Sequence, residues 1–268
     1  MTQYSPTIES IITESKQDFD QSIEIEQKDR IPSNGEYQLN KWYRVPDVVC
    51  VYVDMRNSTQ LSATHHDKST ASVYELYTGT AVRIFNSFSP SYIDVKGDGV
   101  FALFNKNEVF RAFAAAVTFK TFAQESFIPM VRGKISEIDI GSHMGMDQKT
   151  VLVKRIGIRN SENTDTRNNE VWAGKPINMA SKLASKSGDN QLWISNRLYE
   201  KFANKELVSQ SCGCSNGQVT GQKTNLWTEK DLTEDTNLDF NTAYVLESYW
   251  CPIHGKDWCD KILQLNPT

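Results

Sequence analysis

Apolar residues along this chain fall into short blocks of two periods. Val48–Val53, "VVCVYV", is almost wholly apolar and rich in β-branched residues, which predicts a buried strand. From Ser58 to Phe88 the apolar positions (Ala71, Tyr74, Leu76, Tyr77, Val82, Ile84, Phe85) recur at helical spacing. "SPSYIDVKGDGVFALF" then places two strand-like runs on either side of Gly97-Asp98-Gly99, a tight hairpin signal. Asn107 suits the cap of a second helix running to about Phe127. "ISEIDIGSHMGMD" and "KTVLVKRIGI" predict two further strands, and "SENTDTRNNE" a mobile polar loop. "AGKPINMASKLASKSG" predicts a strong helix, with Pro176 in its first turn and Gly188 as its stop. "QLWIS" is a short strand, "NRLYEKFAN" a short helix and "TAYVLESYW" a late strand. Hairpins interrupt the alternation of strand and helix. The pattern therefore predicts an α+β fold with a mixed, mainly antiparallel sheet flanked by helices, rather than a doubly wound one.

The flanks of that pattern are polar. Residues 1–46 carry an Ile8, Ile11, Ile12 stripe and a break at Pro32-Ser33-Asn34-Gly35, and are expected to form a peripheral extension. Residues 47–250 form the expected main domain, 205–240 within it carry no assignable period, and 251–268 form a tail.

Composition narrows the classes. A chain of 268 residues, 39% hydrophobic and 23% charged, suits a soluble globular protein with an ample core. A net charge of −4 argues against a surface that coats nucleic acid, though not against a small phosphorylated ligand. No run approaches the ~20 apolar residues that span a bilayer. The opening "MTQYSPTIESIITESKQDFD" lacks the basic and then apolar order of a secretory signal, so a cytoplasmic location is expected. Five cysteines are then expected to be free or metal-bound.

The candidate chemistry begins where the first strand ends. Asp54 closes the apolar run and Asp98 occupies the hairpin turn. If the two strands are neighbours, both carboxylates meet at one end of the sheet and suit Mg²⁺ or Mn²⁺, hard ions that keep open positions for phosphate. The backbone amides of Arg56, Asn57, Ser58 and Thr59, at the start of the next helix, are then placed to hold phosphate oxygens. Each aspartate taken alone is equally well a helix cap or an ordinary turn residue. Asn178 and Lys182, four apart, share one helix face and can orient a ribose and neutralise a phosphate, or form a solvated polar face.

Together, "VYVDMRNST", "DVKGDGVFALF", "IGSHMG" and "GKPINMASKLAS" resemble, in order and approximate spacing, class III nucleotidyl cyclases. The resemblance covers roughly residues 45 to 200, with a last core strand near 241–250. It implies a βαββαβ palm-like core, two divalent cations held by Asp54 and Asp98 with the Met55 carbonyl as an extra ligand, and a ribose-orienting role for Asn178. Lys182 falls where the family usually has a transition-state arginine. Lysine keeps the charge and loses the bidentate fork, so either turnover is slower or Lys186 or Arg56 shares the load. The resemblance also implies a homodimer with two shared sites, one subunit giving the aspartates and the other the Asn178 helix.

The base-reading positions match neither purine pattern of the family. Three before the hairpin glycine stands Asp94, seven before Asn178 stands Val171, with Trp172 beside it, and Lys96 is grouped with them at the substrate. This departure, with the short lysine-containing helix, resembles the pyrimidine cyclases of bacterial Pycsar antiphage systems, which make cyclic UMP or cyclic CMP and act through a cyclic-nucleotide-gated effector. Tyr52 shares Asp54's side of the strand, where its ring narrows the base pocket or simply packs in the core. An ionised Asp94 accepts from uracil N3–H or from the cytosine amino group, and the balance leans to UTP over CTP. A purine cyclase with an unusual pocket, or a non-catalytic nucleotide-binding domain, are the alternatives. Neither nucleic acid nor membrane is an expected partner.

Near the end of the chain, Cys212 and Cys214 and the run Cys251-x2-His254-x4-Cys259 offer five donors where a structural zinc needs four. Free thiols packed under a late strand are the alternative.

Overall fold

The computed structural model describes residues 7–38, 41–158, 167–202, 204–215 and 218–266. The order begins α1 (Ile8–Asp20), β1 (Glu24–Gln27), β2 (Lys41–Arg56), α2 (Ser58–Thr64), α3 (Asp67–Tyr74), α4 (Thr80–Ser87), β3 (Tyr92–Lys96) and β4 (Gly99–Phe104). It continues with α5 (Val109–Phe122), α6 (Ile128–Arg132), β5 (Gly141–Ile158), β6 (Arg167–Gly174), α7 (Lys175–Lys186), β7 (Leu192–Ser195) and α8 (Asn196–Tyr199). Last come α9 (Glu206–Ser209), β8 (Cys214–Ser215), β9 (Gln218–Val219), β10 (Trp227–Asp231), β11 (Thr242–Leu246) and α10 (Gly255–Leu263).

The main sheet runs β10-β11-β7-β5-β2-β4-β3, with β1 beside the start of β2 and β6 beside the far half of β5. Its pairs are antiparallel except β1 with β2 and β5 with β7. Alternation along β2 sorts its side chains between two faces. Val49, Val51, Val53 and Met55 enter the large core under α2–α6 and α10. Val48 and Cys50 face the other way, into the smaller core that α7 covers with Ala180. Helix α7 lies against the sheet at Gly145, where an added Cβ would stand 2.0 Å from the Ala180 carbonyl oxygen. Only a residue without a side chain lets the helix seat that low.

Several sequence expectations change. The first strand starts at Lys41, not Val48; a bulge at Pro46-Asp47, where the register shifts between Val45 and Val48, absorbs the proline. The Ser58–Phe88 helix is three helices, with a π turn over Glu75–Gly79. The two strands expected over 135–158 are one strand, β5. Of the loop expected at 161–170, residues 161–166 lie outside the described residues and 167–170 open β6. The Ile8, Ile11, Ile12 stripe of α1 is exposed, and that helix buries no residue. Among the described residues, no helix is long and apolar enough to cross a membrane.

Candidate active site

Strand β2 delivers Asp54 to the face that α7 partly covers. Its cross-strand partner on β5 is His143, and the next row holds Tyr52 between Phe101 of β4 and Gly145 of β5. The β3–β4 hairpin brings Asp98 to the same spot, close enough for its charge to act on the Asp54 carboxyl. Above Gly99, the Asp54 Oδ1 and the Tyr52 hydroxyl crowd the point a Cβ would occupy, at 3.1 and 2.6 Å. The missing side chain leaves both oxygens uncovered.

Burial, then the neighbouring charge of Asp98, push the Asp54 carboxyl up to about 6. Two carboxylates forced together in a half-buried pocket repel unless a cation lies between them. This all-oxygen donor set fits a hard divalent ion. Burial also raises the Tyr52 phenol, and Ser181 of α7 lies against its hydroxyl. The Met55 side chain points away into the large core, so its carbonyl is the part left for the expected ligand role.

The start of α2 is held from outside. Asn57 adopts the left-handed conformation, makes no cap bond, and donates from Nδ2 to the Asp139 carbonyl at 2.8 Å. The Arg56 guanidinium reaches Asp139 at 2.6 Å and Asp189 at 3.5 Å. Arg56 thus pairs with two carboxylates of its own chain, while its Nε has no partner. Ser58 is buried and Thr59 exposed; the first-turn amides have no intrahelical carbonyl to bond, and no side chain caps them.

Asp94 lies on β3 opposite Phe101, in the Tyr52 row, and Lys96 pairs with it at 2.9 Å. Trp172 of β6 packs its ring 4.8 Å from that of Tyr92, two residues before Asp94 on the same face. Val171 points away from Trp172 and is exposed.

Helix α7 presents Asn178 to solvent, while Lys182 donates to the Asn237 carbonyl at 2.6 Å. Lys175 pairs with Asp239 at 2.8 Å and Lys186 with Asp235. The 232–241 loop is thus fastened along α7 by Lys175, Lys182 and Lys186. Among the described residues, no hydrogen bond joins Asn178 or Lys182 to Asp54 or Asp98.

Sequence reading missed His143. Its Nδ1–H donates to the Ser187 carbonyl at 2.7 Å, and burial lowers its pKa. Asp139 and Asp189, which anchor Arg56, were missed as well. Only the register of β5 against β2 reveals the first, and only long-range ion pairs the others. In the C-terminal part, Cys212, Cys214, Cys251 and His254 come together, whereas Cys259 does not: it faces the core from α10.

A mostly antiparallel sheet flanked by helices, with Asp54 at the end of β2 beside the hairpin that carries Asp98, is the fold of solved nucleotidyl cyclases. The fold is similar to adenylyl cyclase CyaB of P. aeruginosa, with a TM-score of 0.56, 17% identity, and coverage of 77% of this chain and 95% of that one. It is also similar to the guanylate cyclase domain of RhGC from Catenaria anguillulae, solved with GTP: TM-score 0.58, 15% identity, 77% and 98% coverage. No protein-family model matches the chain. Within the class, the chain belongs to the uridylate cyclase family. It is 33% identical to the uridylate cyclase of Propioniciclava tarda over 90% of this chain and 77% of that protein. To the uridylate cyclase of Micromonospora echinofusca it is 31% identical, over 85% and 72% respectively.

Proposed function

We propose that this protein is a divalent-metal-dependent uridylate cyclase that converts UTP to 3′,5′-cyclic UMP and pyrophosphate. The observation that carries the reading is the approach of Asp54, at the end of β2, to the hairpin that carries Asp98, its Oδ1 standing 3.1 Å from the Cβ point of Gly99, in a chain whose relatives are uridylate cyclases. Bound at those carboxylates, divalent ions would lower the pKa of the ribose 3′-hydroxyl and neutralise the triphosphate.

The rest of the work falls to the chain itself. The open amides at the start of α2 bind phosphate oxygens. Asn178 orients the ribose so that its 3′-oxygen lines up with the α-phosphorus, and Lys182 stabilises charge that grows on the phosphorane oxygens. It can do so while keeping its bond to the Asn237 carbonyl, because an ammonium has three N–H donors. Asp94 accepts from uracil N3–H, while Lys96, whose ammonium stands 2.9 Å from the Asp94 carboxylate, donates to the adjoining uracil carbonyl. By resemblance to the class, the complete site is built across a homodimer, one copy giving Asp54 and Asp98 and the other α7. By resemblance to the Pycsar systems, the cyclic nucleotide serves antiphage defence through a gated effector.

The test is to incubate the protein with each of the four nucleoside triphosphates and Mn²⁺ and identify the products by mass. Cyclic UMP is expected as the main product, and inertness toward all four overturns the proposal. Mixing Asp54→Ala with Asn178→Ala protein is expected to restore activity above that of either variant. A mixture no better than its parts rules out the shared site.

A further inference from the structure

Four side chains that the cyclase chemistry does not use converge at the far end of the molecule. They come from two segments: Cys212 and Cys214 from the β8 hairpin region, Cys251 and His254 from the turn that starts α10. Their ligand atoms all lie within 4.8 Å of one another. The His254 Nδ1 faces two sulfurs, that of Cys214 at 3.3 Å and that of Cys251 at 3.8 Å. A tetrahedral zinc with Zn–S of about 2.3 Å and Zn–N of about 2.0–2.1 Å has S···N edges of about 3.5 Å and S···S edges of about 3.8 Å. The observed separations bracket that edge. No pair among the cysteines is bridged.

We propose that Cys212, Cys214, Cys251 and His254 bind one structural zinc ion in Cys3His coordination, with His254 ligating through Nδ1.

The backbone around the donors is set by turns. The Gly255 amide donates to the Cys251 carbonyl at 2.8 Å, closing the loop that carries Cys251 and His254. The Thr220 and Gly221 amides donate to the Gly213 carbonyl at 2.8 and 2.9 Å, fixing the loop between Cys212 and Cys214. The donors line a cleft of about 500 Å³ with Trp250 and Trp258, so an ion and a chelator both have access.

What the ion would hold also follows. Among the described residues of 209–224 only Gly213 is buried, and segments this short on core need a staple. Helix α10 carries Cys259 and Ile262 into the large core, and Trp258 Nε1 donates to the Leu207 carbonyl at 2.8 Å. Zinc would tie this helix to the hairpin. It lies with α10 on the face of the sheet opposite Asp54, so its role is structural, and the proposal stands whether or not the chain cyclises UTP.

The experiment uses the full chain. Metal content after purification without added metal is expected to be about one zinc per chain. Replacement by Co²⁺ should give the intense visible bands of a tetrahedral site with sulfur-to-cobalt charge transfer. Asp54→Ala and Cys259→Ser should keep the ion, Cys251→Ser should lose it, and chelation should lower the melting temperature. A wild-type chain with less than about a tenth of an equivalent of zinc, a Co²⁺ spectrum without thiolate charge transfer, or loss of the ion in Cys259→Ser or Asp54→Ala overturns the assignment. Should Cys251→Ser fail to fold, the wild-type cobalt spectrum and the Asp54→Ala metal content decide.

Discussion

Gly145 lies where α7 crosses the sheet, opposite Tyr52 on β2 and level with Trp193 on β7. Changing it to alanine puts a methyl group 2.0 Å from the Ala180 carbonyl oxygen and 2.7 Å from the Ala184 nitrogen. Both obstacles are backbone, so no rotamer relieves them, and restoring van der Waals contact moves α7 off the sheet by about 1 Å. Overpacking of this kind costs about 1–3 kcal/mol, and the upper end applies because Met179, Leu183 and Ala184 must leave their seats together. In a chain of this size that lowers the melting temperature by roughly 5–10 °C. The same shift carries Asn178 and Lys182, and a 1 Å misplacement costs on the order of 100-fold in rate. The assay is thermal unfolding of Gly145→Ala beside steady-state turnover of UTP. Gly79→Ala is the control: Gly79 is already helical, with nothing within 4 Å of an added Cβ, so that change should raise stability by roughly 0.5–1 kcal/mol. A Gly145→Ala protein with wild-type melting and wild-type turnover would refute the claim that this glycine seats the helix.

Three more outcomes follow from buried charge. Asp54 holds its proton to about pH 6 against an ordinary 3.8; between those values the folded chain keeps a proton the unfolded chain has lost, so its contribution to stability falls as pH rises. In EDTA, Asp54→Asn should therefore gain on the wild type in melting temperature between about pH 4 and about pH 7, and a constant gap would disprove the link. Lys120 is buried, donates to the carbonyls of Asn190 and Glu247, and is held by that burial to about 8 against 10.5. Unfolding takes up a proton between these values, so stability due to this group rises with pH there; urea titrations of Lys120→Met at about pH 8 and about pH 10 should show that rise abolished. Asp147 is fully buried and accepts from Ser195 Oγ at 2.6 Å and Arg197 Nε at 2.7 Å. Arg197→Ala strands that carboxylate and should cost about 3–5 kcal/mol in denaturant unfolding; a loss below about 1 kcal/mol would mean the pair is screened.

The elements legible in the sequence are those whose side chains report their surroundings. Val48–Val53, the Gly97-Asp98-Gly99 hairpin and the Pro176-to-Gly188 helix announce themselves by burial on known periods and by turn chemistry. Strand β5 reads as two strands because Asp147, Gln148, Lys149 and Thr150 interrupt its apolar run. Asp147 and Gln148 are nonetheless buried, the first neutralised by Arg197 and the second donating to the Asp47 carbonyl at 2.9 Å. A polar side chain satisfied by a distant partner leaves no local signature. Strand β6 is invisible for a related reason: it forms by backbone pairing of residues 167–174 with the exposed flank of β5, and a ladder of amides carries no sequence pattern.

The site divides along the same line. Asp54 and Asp98 could be paired in advance because each closes or joins a recognisable strand, and β2 and β4 are neighbours in the sheet. The partners that fix their surroundings could not. His143 meets Asp54 only through the register of β5, eighty-odd residues away along the chain, and Lys182 is held by a main-chain carbonyl of a loop whose composition is merely polar. On the proposed mechanism that bond sets where the charge meets phosphate. An ammonium has three N–H donors, and the Asn237 carbonyl at 2.6 Å takes one of them, which leaves two for phosphate oxygens. The family's usual arginine would offer a planar fork of parallel donors, whereas lysine offers a point charge. On that mechanism Lys182 therefore acts from the position the Asn237 carbonyl gives it, by charge rather than by bidentate geometry.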